Sequence, residues 1–592
     1  MTWSKISPTD YLSNARRVVV ALAPSNENIL YFMAEAPNGP DWTVSLNGLW
    51  RYTRDAGNNT GKWETLNNKV GVISSLGGYC MALAVKPDNP QMVFFGGTNL
   101  YRSKDAVATP LSQANIVGGY QTALHPDIQA LTFHPTNPDR LYVASDGGVT
   151  HTLNCKDSVI AWSNLNNGYS TTQFYSIAMN HFDANDDWLI GGLQDNGTVI
   201  YSSKFNTKDH WMMWSGGDGM HAAIGPKRNP VISSFQVGNI INGDYIIRPP
   251  QLNNGNFNFY TFFTWDKANF DHLYLPAKNQ LWKLNEPERL DTNDWSEIAI
   301  VRQTLSAGEI ITSVSASKIP AHRLYIGTNK GRVFRVDNAT TTPQITNITD
   351  AAFPVNGFVG CVDVNEDNAD RIVAVFSNYN VPSIFSSENG GATWSHTGGN
   401  LDEGSEAGVI APSIRWVKSL NLGAKTMYFA ATTSGLFSTE SMSGSQTAWL
   451  REGATSIGAV QIEMLDAKQS TGEVVIGTHG NGVYRSTLAT SIAEQNLATD
   501  GVTLDQNYPN PATSSTLIKY TLPVEGQVKI KLYSSSGVEI LTLVDKFETG
   551  GEHFIELNKA NYPGFESLAS GKYFYRMECN NYKATRSLEI LR

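Results

Sequence analysis

Met81-Ala82-Leu83-Ala84-Val85-Lys86-Pro87, then Met92-Val93-Phe94-Phe95-Gly96-Gly97, then Leu100-Tyr101-Arg102-Ser103, is the stretch that decides the fold. An alternating apolar strand ends in a Pro and Asn turn. An aromatic, β-branched strand follows and runs into paired glycines, and a third short strand carries Tyr-Arg. Turns this short join only antiparallel neighbours, so the unit is a small meander. The pattern recurs. Val19 to Pro24 leads to Ile29-Leu30-Tyr31-Phe32 and Gly48-Leu49-Trp50-Arg51. Gln129 to Pro135 leads to Arg140-Leu141-Tyr142-Val143-Ala144, and Glu473 to Thr478 leads to Gly482-Val483-Tyr484-Arg485. Weaker copies begin near Phe174, Met220, Phe262, Phe358 and Ile414. Many copies close with a Trp strand, as at Trp63, Trp162 and Trp295.

About ten units of roughly 40–50 residues result, the period of a four-stranded propeller blade. A meander buries both faces only when sheets stack, and a ring of stacked sheets leaves only short edges. The expected fold is therefore all-β: a large β-propeller of about ten blades over residues 1–487, followed by a small Ig-like β-sandwich. The last unit lacks a Trp strand and the chain opens with an unattached one, Trp3-Ser4-Lys5-Ile6. That strand is expected to complete the last blade and close a single ring, with two smaller rings as the alternative.

Composition agrees. The 592 residues hold 51 Gly, 14 Trp, 24 Tyr and 24 Phe with only 17% charged residues, which suits short strands and tight turns. Net charge is −10 with no basic run, which excludes nucleic acid as a partner. Cys80, Cys155, Cys361 and Cys579 are widely spaced and form neither a zinc set nor a disulfide framework. No metal and no cofactor are expected. No apolar run reaches the ~18–20 residues of a membrane span. Met1 to Ile6 has no basic start followed by an apolar core, so it is not a secretory signal.

Residues 488–503 read as a linker rich in Ala, Ser, Thr and Asp. From 504 to 592 the strands come at shorter spacing. Ile518, Tyr520 and Leu522 alternate with lysine and threonine, and Val528, Ile530 and Leu532 alternate with Lys529 and Lys531. About seven strands in ~85 residues suit a small sandwich.

Three resemblances follow from quoted residues. Ser387-Glu388-Asn389-Gly390-Gly391-Ala392-Thr393-Trp394 resembles the Asp-box turn of BNR-repeat propellers, with Asn389 in the Asp position. Ser387, Asn389, Gly391, Thr393 and Trp394 would then form a self-bonded turn with the indole between blades. Ser103-Lys104-Asp105 is at best a remnant of it. Second, Gly191-Gly192-Leu193-Gln194-Asp195-Asn196-Gly197 and Gly216-Gly217-Asp218-Gly219 resemble the sortilin-like group of secreted bacterial propellers.

Third, the tail resembles the type A C-terminal sorting domain of type IX (Por) secretion cargo. The matching residues are Asn507, Tyr508, Pro509, Asn510 and Pro511, then Gly537, then Gly571, Tyr573, Tyr575 and Arg576. This implies export to the medium or the outer cell surface through the type IX translocon. The N-terminal signal that such cargo carries is absent from the sequence, expected to have been removed or to lie on a longer chain.

Chemistry is less legible. Asp146 in Ser145-Asp146-Gly147-Gly148 resembles loosely the catalytic-acid stretch of xyloglucan hydrolases. Asp195 and Asp218 lie in successive blades. Glycoside hydrolysis needs two carboxylates, ~5–5.5 Å apart for retention or ~6.5–9.5 Å for inversion, and neighbouring blades could supply them. Against this, Asp-Gly and Asp-Asn-Gly are turn formers whose carboxylates cap backbone N–H groups. No arginine triad of the sialidase kind is legible. The expected function is a surface propeller that binds carbohydrate or protein, with a glycoside hydrolase as the alternative.

Overall fold

A computed structural model describes residues 6–37, 45–57, 60–207, 210–226, 231–243, 245–287, 289, 294–402, 411–423, 425–488, 502–523, 525–534, 539–579 and 582–591. Trp3, Gly537 and most of the expected linker lie outside them. The chain divides into two compact units, one from the body and one centred on residues 487–592.

Among the described residues the body holds nine four-stranded antiparallel meanders and one of three strands, in chain order. We call these blades 1 to 10. They begin at Arg17–Leu22, Ala82–Val85, Ile128–His134, Phe174–Met179, Ala222–Ile224, Thr264–Trp265, Ile311–Ala316, Val359–Val364, Ile414–Leu422 and Ile462–Lys468. Each copy quoted from the sequence falls on a blade, and the Trp strands form the outer edges, as in Trp211–Ser215 and Trp295–Glu297.

Closure differs from the expected single ring. Blade 4 packs not on blade 3 but on blade 10: Phe174, Ile177 and Leu193 share a core with Val475, and Gln173 bridges to His479. Carboxylate Asp466 of blade 10 accepts from the Met179 N–H at 2.9 Å. Successive cores join blades 4 to 5, 5 to 6, 6 to 7, 7 to 8 and 8 to 9. Arg415 and Glu463 link blade 9 to blade 10 at 3.7 Å. Blades 4–10 are therefore a closed seven-bladed propeller. Blades 1–3 form their own stack, joined by two further cores.

Local physics supports the closure. A Cβ on Gly477 would sit 3.0 Å from that of Phe174, so the absence of a side chain there lets blades 4 and 10 close up. Of the strand expected to complete the last blade, Trp3 to Lys5 lie outside the described residues and only Ile6 lies within them. Ile6 lies beside blade 1, where its carbonyl accepts from the Trp63 indole. Asp10 accepts from the Trp50 indole at 3.0 Å, and Tyr11 packs on that ring.

The second unit carries two antiparallel sheets, Thr503–Leu504, Ser515–Leu522 and Gly551–Asn558 in one, Glu539–Glu548, Gly526–Ser534, Gly571–Cys579 and Tyr582–Ile590 in the other. Ile518, Tyr520 and Ile555 of the first share one core with Ile530, Leu532, Tyr575 and Ile590 of the second. The alternation of apolar and lysine residues in the sequence is the alternation of faces that builds this core. The Tyr575 hydroxyl donates to the Asp505 carbonyl at 2.8 Å and accepts from the Asn507 N–H at 2.7 Å. The Asn507 amide donates to the Pro509 carbonyl and to Thr516 Oγ1. Tyr508 itself is 82% exposed.

The turn that begins at Ser387 bonds to itself. Ser387 Oγ accepts from the Gly391 N–H at 3.0 Å, Asn389 Oδ1 from the Thr393 N–H at 2.9 Å, and the Trp394 indole donates to Ile348 of the preceding blade. The stretch expected to be a remnant carries the same wiring. Ser103 Oγ accepts from the Val107 N–H at 2.9 Å, and Asp105 from the Thr109 N–H at 3.0 Å. Val107 holds the glycine-like conformation at φ +60°. A β-branched residue is rare there, which is why the sequence disguises the turn. All four cysteines are buried and free.

Candidate functional site

Sequence candidates Asp146 and Asp195 meet where blades 2 and 3 adjoin blade 4, together with Asp127. Asp127 immediately precedes the first strand of blade 3. Asp146 is in the turn between Asn137–Ser145 and Gly148–Thr152, and Asp195 in the turn between Leu189–Leu193 and Gly197–Tyr201. One carboxylate oxygen from each lies within 4.8 Å of the other two.

Neighbouring groups fix two of the three. Asp146 accepts from the Tyr79 hydroxyl at 2.9 Å and from Gln129 Nε2 at 3.0 Å. Across the junction, Asn196 Nδ2 donates to the Asp146 carbonyl, and His125 Nε2 lies 2.8 Å from the Asp195 carbonyl. His125 Nδ1 lies 3.0 Å from the Pro126 carbonyl.

Asp218 does a different job. Its carboxylate accepts from the Asp195 N–H at 2.7 Å and from Gln236 Nε2, so both oxygens are engaged. This is the turn-capping role that Asp-Gly sequences commonly take. The glycines around it are explained by packing. A Cβ on Gly192 would lie 1.9 Å from the Met220 carbonyl, and one on Gly219 2.0 Å from the Gly197 carbonyl. Gly192 and Gly219 thus let blade 4 and the segment that leads into blade 5 touch through backbone.

Burial first, then the charges of Asp218, Asp146 and Asp127, push the Asp195 carboxyl up to about 7. Burial and the charge of Asp146 raise that of Asp127 as well. The Cys80 thiol is driven up by burial and by Asp127 and stays protonated. Tyr79 is 49% exposed and Tyr120 67% exposed, and burial of their hydroxyls near these carboxylates raises both phenols. The result is an acidic recess with exposed tyrosine faces beside it. No local pattern marks Asp127, Tyr79 or Gln129, because Tyr79 precedes blade 2 while Asp127 and Gln129 belong to blade 3, and only the fold brings them together.

A second charged group, also unmarked in the sequence, lines the inner strands of the seven-bladed ring. Lys418 Nζ meets Asp363 Oδ1 at 3.0 Å, and His181 Nε2 meets Asp466 Oδ2 at 2.8 Å. Burial opposes ionisation of Asp466, yet His181 and Lys418 outweigh it and hold the carboxyl down at about 2. Glu309, buried between blades 6 and 7, accepts from Arg332 Nε at 2.9 Å, Thr328 Oγ1 at 2.7 Å and the Ser306 N–H at 2.9 Å. These bonds overcome burial and hold it at about 2.

Both carboxyls have folded-state values below their ordinary ones, so their stabilisation is full above about pH 4.5 and is lost as pH falls toward 2. Thermal melts of the body should therefore fall steeply between pH 4.5 and 2.5. Glu309→Gln should lower the neutral-pH melting temperature and flatten that slope. An unchanged slope in Glu309→Gln would show that this carboxylate does not carry the effect.

Fold and ends together define the class: an all-β protein with a propeller body and a terminal two-sheet module. Residues 506–590 match the family model of the secretion system C-terminal sorting domain. A tail of this kind implies export by type IX secretion, to the cell surface or beyond it. Among the described residues no helix is long and apolar enough to cross a membrane.

Among solved structures the chain is similar to the beta-propeller domain of Myceliophteria thermophila Cps50 (Swd1), at 10% identity and TM-score 0.36, covering 54% of this chain and 99% of that one. It is also similar to the WD40 repeats of RRP9, at 11% identity and TM-score 0.38, covering 52% and 87%. No curated protein matches by sequence.

Proposed function

We propose that this chain is an exported propeller that binds carbohydrate outside the cell, at the recess of Asp127, Asp146 and Asp195. The observation that carries the reading is the pairing of those carboxylates with the exposed rings of Tyr79 and Tyr120. Carboxylates accept hydrogen bonds from sugar hydroxyls, and aromatic faces stack on the apolar faces of pyranose rings. Within this reading residues 1–487 are the binding body, of the BNR and sortilin-like kind. The self-bonded turns at Ser103 and Ser387 support that kinship. Residues 488–503 are a linker. Residues 504–592 form an Ig-like sorting domain read by the translocon through the segment Asn507 to Pro511.

A glycan array on the full chain tests the reading. Tyr120→Ala should weaken retention of any bound polysaccharide by about 3–10-fold, the worth of one aromatic stack. Retention of no glycan, or retention indifferent to Tyr120→Ala and Asp195→Asn together, overturns carbohydrate binding and leaves a surface protein as the ligand class.

A second reading, hydrolysis of an extracellular polysaccharide, is favoured by the facing of Asp146 and Asp195 across the junction. Their nearest oxygens lie within 4.8 Å of each other, short of the ~6.5–9.5 Å that an inverting pair needs and on the retaining side of that division. Reducing-sugar release that disappears in Asp195→Asn would select it over simple binding. Asp218→Ala, which removes a cap, should lower stability as well as any turnover.

A further inference from the structure

We propose that Asp127, Asp146 and Asp195 bind a divalent cation of the calcium class, which fastens blades 2 and 3 to the seven-bladed ring. Calcium takes oxygen ligands at ~2.3–2.6 Å, so two ligands on one ion stand at most about 5 Å apart. The three carboxylates offer oxygens within 4.8 Å of one another, which is that geometry.

The buried state of Asp127 is the independent observation. This side chain belongs to a residue only 8% exposed, and its buried Oδ1 has no hydrogen-bond partner. A buried carboxylate oxygen without a partner is costly and calls for a counter-charge at that point. Among the described residues no lysine or arginine forms an ion pair with Asp127, Asp146 or Asp195. The His125 ring faces carbonyls rather than these oxygens.

The donor set also selects the kind of ion. All three ligands are hard oxygens. His125 has both ring nitrogens engaged by carbonyls, so it does not join as a softer ligand. Tyr79 and Gln129 keep Asp146 oriented while leaving each of its oxygens a free lone pair. Ligands come from both sides of the junction, Asp127 and Asp146 from blade 3 and Asp195 from blade 4. Binding would thus couple the cation to the docking of the three-blade stack.

The test uses the full chain stripped with EGTA and needs no glycan. Calorimetric titration with CaCl₂ should show binding with a dissociation constant of about 10⁻⁴–10⁻³ M, the range of extracellular calcium modules. Terbium added alone should luminesce when excited through tyrosine, because Tyr79 touches a ligand carboxylate, and calcium should quench the signal by displacement. Asp127→Asn and Asp195→Asn should each weaken binding at least about 10-fold, whereas Tyr79→Phe should retain it.

The cation should also raise the melting temperature and slow proteolysis between blades 3 and 4. Absence of both calcium heat and terbium signal in the folded wild-type chain overturns the proposal, as does binding that survives Asp127→Asn/Asp195→Asn. If either variant misfolds, the wild-type titration and its reversal by EGTA decide alone. Glycan retention by a chain that binds no calcium would remove the cation and leave the sugar-binding reading standing.

Discussion

A chain cut after Thr487, produced with an inner-membrane export signal in a host with type IX secretion, should be retained in the periplasm, while the full chain reaches the surface or medium. Fractionation and surface proteolysis measure the difference, which should be all or none. The physical basis is the self-sufficiency of the tail. Every buried side chain of its core lies between Val502 and Ile590. Among the described residues the cores of the body draw on none beyond Val483. Truncation should therefore leave the body folded, and a melting temperature that collapses would attribute the loss to misfolding instead. A reporter joined to residues 488–592 should be exported, provided that it carries the same signal.

A finer variant tests the lead-in segment. Tyr575→Phe removes the hydroxyl that ties Asn507 and Asp505 to the core, at a cost of about 1–3 kcal/mol for the buried groups left unpaired. Exposed Tyr508 would then be presented on a looser strand, and export should fall without loss of the body.

How far the sequence could be read depends on the range of each interaction. Blade strands are local: alternation, a Pro or Asn turn and a Trp strand lie within one unit, so all the quoted copies fell on blades. Ring closure is not local. Blade 4 selects blade 10 through Phe174, Val475 and the small Gly477, nearly three hundred residues apart, and no motif within either blade announces that choice. Trp3 resembled an outer strand, but outer strands share one pattern in every blade and cannot say which sheet they join.

The candidate site shows the same limit from the other side. Asp195 and Asp218 were visible because Asp-Asn-Gly and Asp-Gly stand out. Their roles were not, since only the fold shows that Asp218 spends both oxygens on Asp195 and Gln236 while Asp195 faces a neighbouring blade. Asp127 carries no turn signature, and burial beside Asp146 is what gives it significance. At Val107 the Ser103 turn holds a left-handed backbone without the glycine that Gly391 supplies at the same offset in the Ser387 turn.

Lys418→Met should destabilise the seven-bladed ring by about 3–5 kcal/mol, the cost of leaving one member of a buried ion pair behind. Both side chains are almost wholly buried, with 11% of Lys418 and 4% of Asp363 exposed. Of its hydrogen bonds the Asp363 carboxylate would keep those from Ser419, whose N–H and hydroxyl approach at 2.7 and 2.6 Å, with the charge of Lys267 still acting on it. Burial opposes its charge, and the Lys418 ammonium is the first group that holds its carboxyl below the ordinary range. Methionine preserves the length of the stem, so the loss reports charge rather than volume. Over a ring of this size the melting temperature should fall by about 5–10 °C.

Two controls separate the pair from its setting. Lys418→Met/Asp363→Leu should recover most of the loss, because an apolar pair of similar volume pays no desolvation. The pH response should also change sign in the expected way. Wild type loses the contribution of Asp363 as pH falls below the ordinary carboxylate range, whereas in Lys418→Met the carboxyl rises and acid relieves the unpaired charge. The stability gap between the two proteins should therefore narrow from pH 7 to pH 4. A gap that is constant with pH, or a double variant no better than the single one, would mean that Lys418 acts through packing of its stem against blades 8 and 9 and that the ion pair is incidental to the ring.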